Sequence, residues 1–237
     1  MFINAHSHKK AQSLEEWVCR NAFHFLGTES LKKLGYPVSV GWHPWFSDRF
    51  TSDSENALAS FLKAENVVAI GETGLDRSVS VPFSVQMNTW TSHYHLAQKH
   101  SLPLIIHCVK AYYDLVPFCK RSSVPLLFHG YRGNLEITQT LLECEQVYFS
   151  FGKDLLSRPQ SRSLFLEIPV SRVLLETDNS GLPIARIYEE AAALLHLSLD
   201  ELQAEMKKNA LRFFGENVLT LFWPTKQTLC KPPFPAG

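Results

Sequence analysis

The sequence predicts an α/β fold, a (β/α) barrel of the TIM type, and three observations carry that prediction. Eight short apolar runs punctuate the chain, segments with helical spacing separate several of them, and 237 residues suffice for one closed barrel. Strands alternating with helices imply βα units and a parallel sheet. Eight strands in so short a chain favour closure over a doubly wound sheet. No internal repeat and no linker divides the chain, so residues 1–224 are expected to form a single domain and 225–237 a Pro-rich tail.

The first strand is expected over Phe2–Ser7, where Phe2-Ile3-Asn4-Ala5 leads into His6-Ser7-His8. Strand side chains repeat every second residue, so the two imidazoles point the same way. The next run, Trp17–Phe23, reads as a strand or a helix, and it follows so closely that the first βα unit is abbreviated. Strands follow at Val38–Gly41 and Val67–Gly71, with a helix from Ser54 between them behind a Ser or Asp cap. Ser84–His100 places Val85, Trp90, Tyr94 and Ala97 broadly on one helical face. Strands come next at Leu104–His107, Leu126–His129 and Val147–Phe151, with a helix over Leu135–Glu143. After a last strand at Val173–Glu176, helices are expected over Ile184–His196 and Leu199–Phe214. The final one carries Asp200 and Glu201 in its first turn and stops at Gly215.

Composition narrows the function. Apolar residues at 45% and charged residues at 19% belong to an ordered globular protein. Lys plus Arg balances Asp plus Glu at 23 each, so there is no global pull toward a polyanion; nucleic acid would need a local patch or metal. Five scattered cysteines without a CxxC pair read as free thiols and predict a cytoplasmic protein. No basic leader with a following apolar stretch opens the chain, and no apolar run reaches membrane-spanning length, so no membrane association is expected. No feature calls for an obligate protein partner.

Active sites of α/β barrels lie at the C-terminal ends of the strands. Those ends carry His6 and His8, Glu72, His107, His129 and, through Glu176-Thr177, Asp178. One such residue is ordinarily a hydrogen-bonded loop side chain; six around a common axis are hard to ascribe to coincidence. Four imidazoles and two carboxylates make a mixed nitrogen and oxygen set that suits zinc, manganese or a similar ion. Six ligands exceed what a single zinc takes, so two divalent ions are the expected cofactors.

Asn4-Ala5-His6-Ser7-His8, Gly41-Trp42-His43-Pro44, Gly71-Glu72-Thr73-Gly74-Leu75-Asp76, Pro103-Leu104-Ile105-Ile106-His107, Phe128-His129-Gly130, Leu175-Glu176-Thr177-Asp178 and Asn209-Ala210-Leu211-Arg212-Phe213-Phe214-Gly215 occur in a fixed order. In that order and context the chain resembles the TatD family, metal-dependent hydrolases of the amidohydrolase superfamily, over essentially residues 1–215. The resemblance implies that His6, His8 and Asp178 hold one ion and that Glu72 bridges to a second, completed by His107 and His129. It also implies DNase activity, commonly a 3′-to-5′ exonuclease, with some relatives deacylating D-aminoacyl-tRNA. The expected substrate is therefore DNA or another phosphodiester, with zinc, manganese or magnesium all compatible with the ligands. A divalent ion lowers the pKa of its water from about 16 to about 7. Glu72 and Asp178 are the expected catalytic residues, Asp178 as proton acceptor. The same site would also serve an ester or amide, the alternative reading.

Flanking residues divide between substrate and structure. His43 either faces substrate or braces the turn before Pro44. Lys110 and Arg132, three residues beyond His107 and His129, either meet a phosphate or are solvated loop cations. Trp42, Trp45 and Phe46 either stack a base or pack over the barrel mouth. His24, His93, His95, His100 and His196 are expected at the surface, and Cys108 should point away from the axis if His107 points in. Three departures from the family bear on substrate choice. Asn4 stands where most relatives carry Asp, Trp45 replaces the usual second His of Gly-x-His-Pro-His, and the loop beyond Asp178 is short.

Overall fold

The structure, a computed structural model, describes residues 1–22, 34–216 and 218. Eight strands lie side by side in sequence order, every neighbouring pair parallel. They are β1 (Phe2–Ser7), β2 (Glu16–Asn21), β3 (Val38–Val40), β4 (Val67–Asp76), β5 (Leu104–Val109), β6 (Leu126–Phe128), β7 (Val147–Phe151) and β8 (Val173–Leu175). The ring closes at the strand ends: Asp178 N–H donates to His6 O and His8 N–H to Asp178 O, each at 3.0 Å. The helices are α1 (Ser52–Phe61), α2 (Phe83–His100), α3 (Tyr112–Cys119), α4 (Leu135–Leu142), α5 (Asp154–Ser157), α6 (Pro159–Glu167), α7 (Ile184–Leu195) and α8 (Leu199–Phe214). Among the described residues no helix is long and apolar enough to cross a membrane.

Apolar side chains form two layers. Ile3, Ala5, Cys19, Ile105, Leu127 and Leu174 fill the barrel interior. At one end Phe213 and Phe214 of α8 pack on Tyr148 and Trp17, each the second residue of its strand, so the end opposite the site is plugged. The other layer lies between strands and helices, with Cys108 packed against it, away from the axis as expected. Period-two alternation carries Ile105 on to His107 and Leu127 on to His129, which aims both imidazoles inward.

Two irregularities aim the rest. β1 slips register between Asn4 and Ser7, which allows Ala5 of the inner cluster and His6 to face inward consecutively. β4 slips between Ile70 and Thr73. Gly71 lies at φ +151°, and a Cβ there would sit 2.6 Å from Ile105 O, so only glycine lets β4 pass β5 this closely before Glu72.

Several boundaries differ from expectation. β4 continues to Asp76 and β5 to Val109, so Glu72 and His107 sit within strands instead of at their ends. The segment after β1 is a strand, not a helix, and reaches it without an intervening helix, which is the abbreviated unit expected. A 3-10 helix over Pro44–Arg49 and helices α3, α5 and α6 were not anticipated: Pro117 interrupts the α3 pattern, and Pro159 separates two short segments. Phe23, His24, Cys230 and the Pro-rich tail lie outside the described residues.

Candidate metal centre

Glu72, 4% exposed, stands at the centre of the barrel mouth and divides its two oxygens between two groups of imidazoles. Its Oε2 faces His8 Nε2 at 3.3 Å and His6 Nε2 at 3.4 Å, and it accepts from Asn21 Nδ2 at 3.1 Å. Asp178 Oδ1 completes this side, 3.4 Å from His8 Nε2 and 3.7 Å from His6 Nε2. The other oxygen, Oε1, meets His129 Nε2 at 2.8 Å, His107 Nδ1 at 2.9 Å and His43 Nε2 at 3.1 Å. All six residues expected to hold metal therefore converge, with His43 beside them. Three sets have their ligand atoms within 4.8 Å of one another: His6, His8 and Asp178; His6, Glu72 and His129; His43, Glu72 and His107.

The second group is backed by carboxylates that the motifs contain but that sequence reasoning left without a role. His107 Nε2 lies 3.1 Å from Asp76 Oδ2, which also accepts from the Trp45 indole N–H at 2.8 Å. His129 Nδ1 faces Glu176 Oε1 at 3.5 Å, and Ser150 holds the other Glu176 oxygen at 2.5 Å. Asp76 lies four residues after Glu72 on β4, and Glu176 two before Asp178. A metal-binding histidine ordinarily presents its second nitrogen to such a carboxylate.

Burial pushes Glu72 upward, but the charge of His129 and hydrogen bonds from His107, His129 and His43 outweigh it and hold the carboxyl well below its usual range. Burial likewise pulls His129 down, and Glu72 and Glu176 raise it well above normal. His107 is raised by Asp76 and Glu72 against the same burial cost, and His8 chiefly by its hydrogen bond to Glu72. His43 is lowered by burial. Its Nδ1 accepts from the Trp45 backbone N–H at 3.2 Å, so the neutral ring carries its proton on Nε2 and donates toward Glu72.

The donor set fits cations. His6 is fully buried, yet neither ring nitrogen has a hydrogen-bond partner among the described residues, and His129 Nδ1 also lacks one. Buried polar atoms left in this state are costly, and imidazoles and carboxylates converging on them suit a divalent ion.

Of the flanking cations, Arg132 is exposed and ion-paired through Nε to Asp154 at 2.7 Å, beside a small cavity that also touches Asp178. Lys110 is exposed and does not line the cavity over Glu72. His95 and His196 are exposed and His100 half-buried, but His93 is fully buried, contrary to expectation. It lies on the sheet-facing side of α2, where its Nδ1 donates to Thr89 O and its Nε2 accepts from Trp42 N–H at 2.9 Å. Burial holds its pKa down at about 4, so it works as a neutral brace for the Trp42-His43 turn.

A parallel barrel with imidazoles and carboxylates gathered at its C-terminal mouth defines a metal-dependent hydrolase. The chain belongs to the TatD family: residues 18–215 match the family described as TatD related DNase. It is 28% identical over 201 residues to an uncharacterized metal-dependent hydrolase, YabD, of Bacillus subtilis strain 168, covering 76% of this chain and 78% of that protein. It is also 28% identical over 207 residues to the 3′-5′ ssDNA/RNA exonuclease TatD of Erwinia amylovora, covering 75% and 77%. The crystal structure of YjjV, a TatD homolog from Escherichia coli K12, superposes with a TM-score of 0.79 at 21% identity, over 90% of this chain and 97% of that one, and establishes the shared fold.

Proposed function

We propose that this chain is a two-metal phosphodiesterase that trims single-stranded DNA or RNA from its 3′ end. The observation that carries the reading is the division of the Glu72 oxygens between two imidazole groups, the arrangement expected of a carboxylate shared by two ions. His6, His8 and Asp178 would hold one ion and His107 and His129 the other. Divalent ions in such a site supply an acidified water and offset charge on a phosphoryl oxygen. Asp178, whose side chain is 40% exposed, is reached by substrate and takes the proton of the attacking water. His43 lines the cavity, and its Nε2–H, which donates toward Glu72 here, would turn to a phosphate oxygen once Glu72 is engaged by the ions. Arg132 borders Asp178 and receives the neighbouring phosphate, with Lys110 farther out. The nuclease assignment draws on the names of relatives such as that of Erwinia amylovora. The described cysteines are free thiols, which supports a cytoplasmic setting.

The test is metal analysis of purified protein, followed by assay of 3′-labelled and 5′-labelled single strands, plain phosphodiesters and carboxylic esters with zinc, manganese or magnesium restored. Two ions per chain and stepwise shortening from the 3′ end are expected. Cleavage of esters alone would overturn the assignment.

A further inference from the structure

We propose that Trp45 is the platform on which the terminal base of the strand stacks, so that the site selects a nucleotide end over a bare phosphodiester. The proposal rests on the nuclease reading above and supplies its recognition element.

The three aromatic residues beside His43 do different things. Trp42 is half-buried, spends its indole N–H on Phe46 O at 2.9 Å and packs against Phe50, so it holds the turn together. Phe46 is half-buried beside it. Trp45 and Phe46 both line the cavity over Glu72 with His8, His43 and Asp178, but of the three aromatic residues Trp45 alone is exposed, at 53%. That openness is not looseness. The indole N–H is fixed to Asp76 Oδ2, and the ring stands edge-to-face with His43 at 4.9 Å between centroids. A ring held in place before substrate arrives loses little side-chain freedom on stacking, and every base offers a face to it.

The cavity measures about 310 Å³, within the size range of sites that hold a single small-molecule group such as one nucleotide. Charge on the mouth points the same way. With eight strands in sequence order, the turn after β3 that carries Trp45 lies across the barrel from the loop after β7. That loop holds exposed Lys153, next to exposed Arg132 after β6; both border a cavity that meets the first at Asp178, and there Arg132 pairs with Asp154 through Nε alone, at 2.7 Å. An apolar ring face on one side and cations on the other sort a nucleotide end by chemistry: base toward Trp45, continuing phosphates toward Arg132 and Lys153.

The experiment compares two otherwise identical single strands, one ending in a normal 3′ nucleotide and one in a 3′ abasic residue. Wild-type protein should show a KM lower by roughly tenfold to hundredfold for the base-bearing end, the range that stacking supplies. Trp45→Phe, which keeps a ring face, should retain most of that ratio, and Trp45→Leu should bring it close to one. Binding is read separately with 2-aminopurine at the 3′ end in an Asp178→Asn background that leaves the strand uncut. Its emission should be quenched on binding, and Trp45→Leu should remove the quenching. Equal KM for both ends in wild-type protein, with both strands cut, would overturn the platform and leave the nuclease reading standing. Failure to cut either strand with any restored ion would overturn that reading, and the platform with it.

Discussion

The two sides of Glu72 are built differently. On the His107 and His129 side, each imidazole is pressed between Glu72 and a second buried carboxylate, Asp76 or Glu176, that the barrel itself supplies. On the other side, His6 has no hydrogen bond to either ring nitrogen among the described residues, and His8 and Asp178 are open to solvent. Both halves share Glu72; the first has a further carboxylate behind each imidazole, whereas the second relies on backbone closure between β1 and Asp178. On the proposed function, the braced half would fix geometry, and the open half would be where water and substrate exchange and where the mobile proton belongs.

The largest expected effect follows from that division. Asp178→Asn should lower kcat by about 10²–10⁴-fold, the range for a lost general base, while most of the metal stays bound. Parallel measurement of turnover and metal content checks it. Near-normal turnover would take the proton-transfer role from the open half.

His93 tests the bracing from outside the site. Its imidazole stays neutral in the fold down to about pH 4, whereas an unfolded one takes up a proton near 6.5. Between those values the unfolded state binds more protons, so stability falls as pH drops from 6.5 and levels off below about 4. The full loss is about 3 kcal/mol. His8, His107 and His129 are raised, contribute stability at low pH and lose it as pH rises, so the His93 contribution must be read by difference. Urea unfolding of wild type and His93→Gln from pH 4 to 7 should show the stability gap widening with pH. A constant gap would mean that His93 is not the buried neutral group described.

Glu176→Gln sharpens the comparison directly. Removing the carboxylate behind His129 should weaken one ion by about 10–100-fold and leave the other nearly unchanged. Two-step removal by a graded chelator series reads this, and equal weakening of both ions would show that the halves are not independent.

Much of this arrangement was written in local pattern. His107 and His129 follow Ile105 and Leu127 at period two, so their direction was readable from the strands alone. His6 and Glu72 were recognisable as site residues from their motifs, but the register slips that turn them inward depend on neighbouring strands and leave no alternation to read. The braces were hidden for another reason. Asp76 and Glu176 look like ordinary strand-end carboxylates until the ring closes and sets each behind a particular histidine. His93 sits in a helix with mixed polar residues, and only the position of the Trp42 N–H shows why it is buried. The α3 and α6 helices were lost to prolines that local pattern alone treats as breaks.

The smallest expected effect probes the closure that supports Asp178. Asn4, where the family resemblance leads one to expect Asp, donates its amide to Glu16 Oε1 at 2.7 Å and to Thr177 Oγ1 at 2.8 Å, and its own carbonyl accepts from Thr177 N–H at 3.0 Å. Glu16 and Asn4 are both buried, so a carboxylate at position 4 would face another carboxylate with no donor between them. One of the pair would have to take up a proton, or Glu16 would swing out and release Gln12 N–H, which it now holds at 2.7 Å. Asn4→Asp should therefore cost about 1–2 kcal/mol at pH 7, less in acid, where the shared proton is supplied by solvent. Adding Glu16→Gln restores a donor against the new carboxylate and should recover the loss. Urea denaturation of both variants at pH 5 and 7 measures it, and an Asn4→Asp protein as stable as wild type at both would show that the β1–β8 clamp does not depend on this amide.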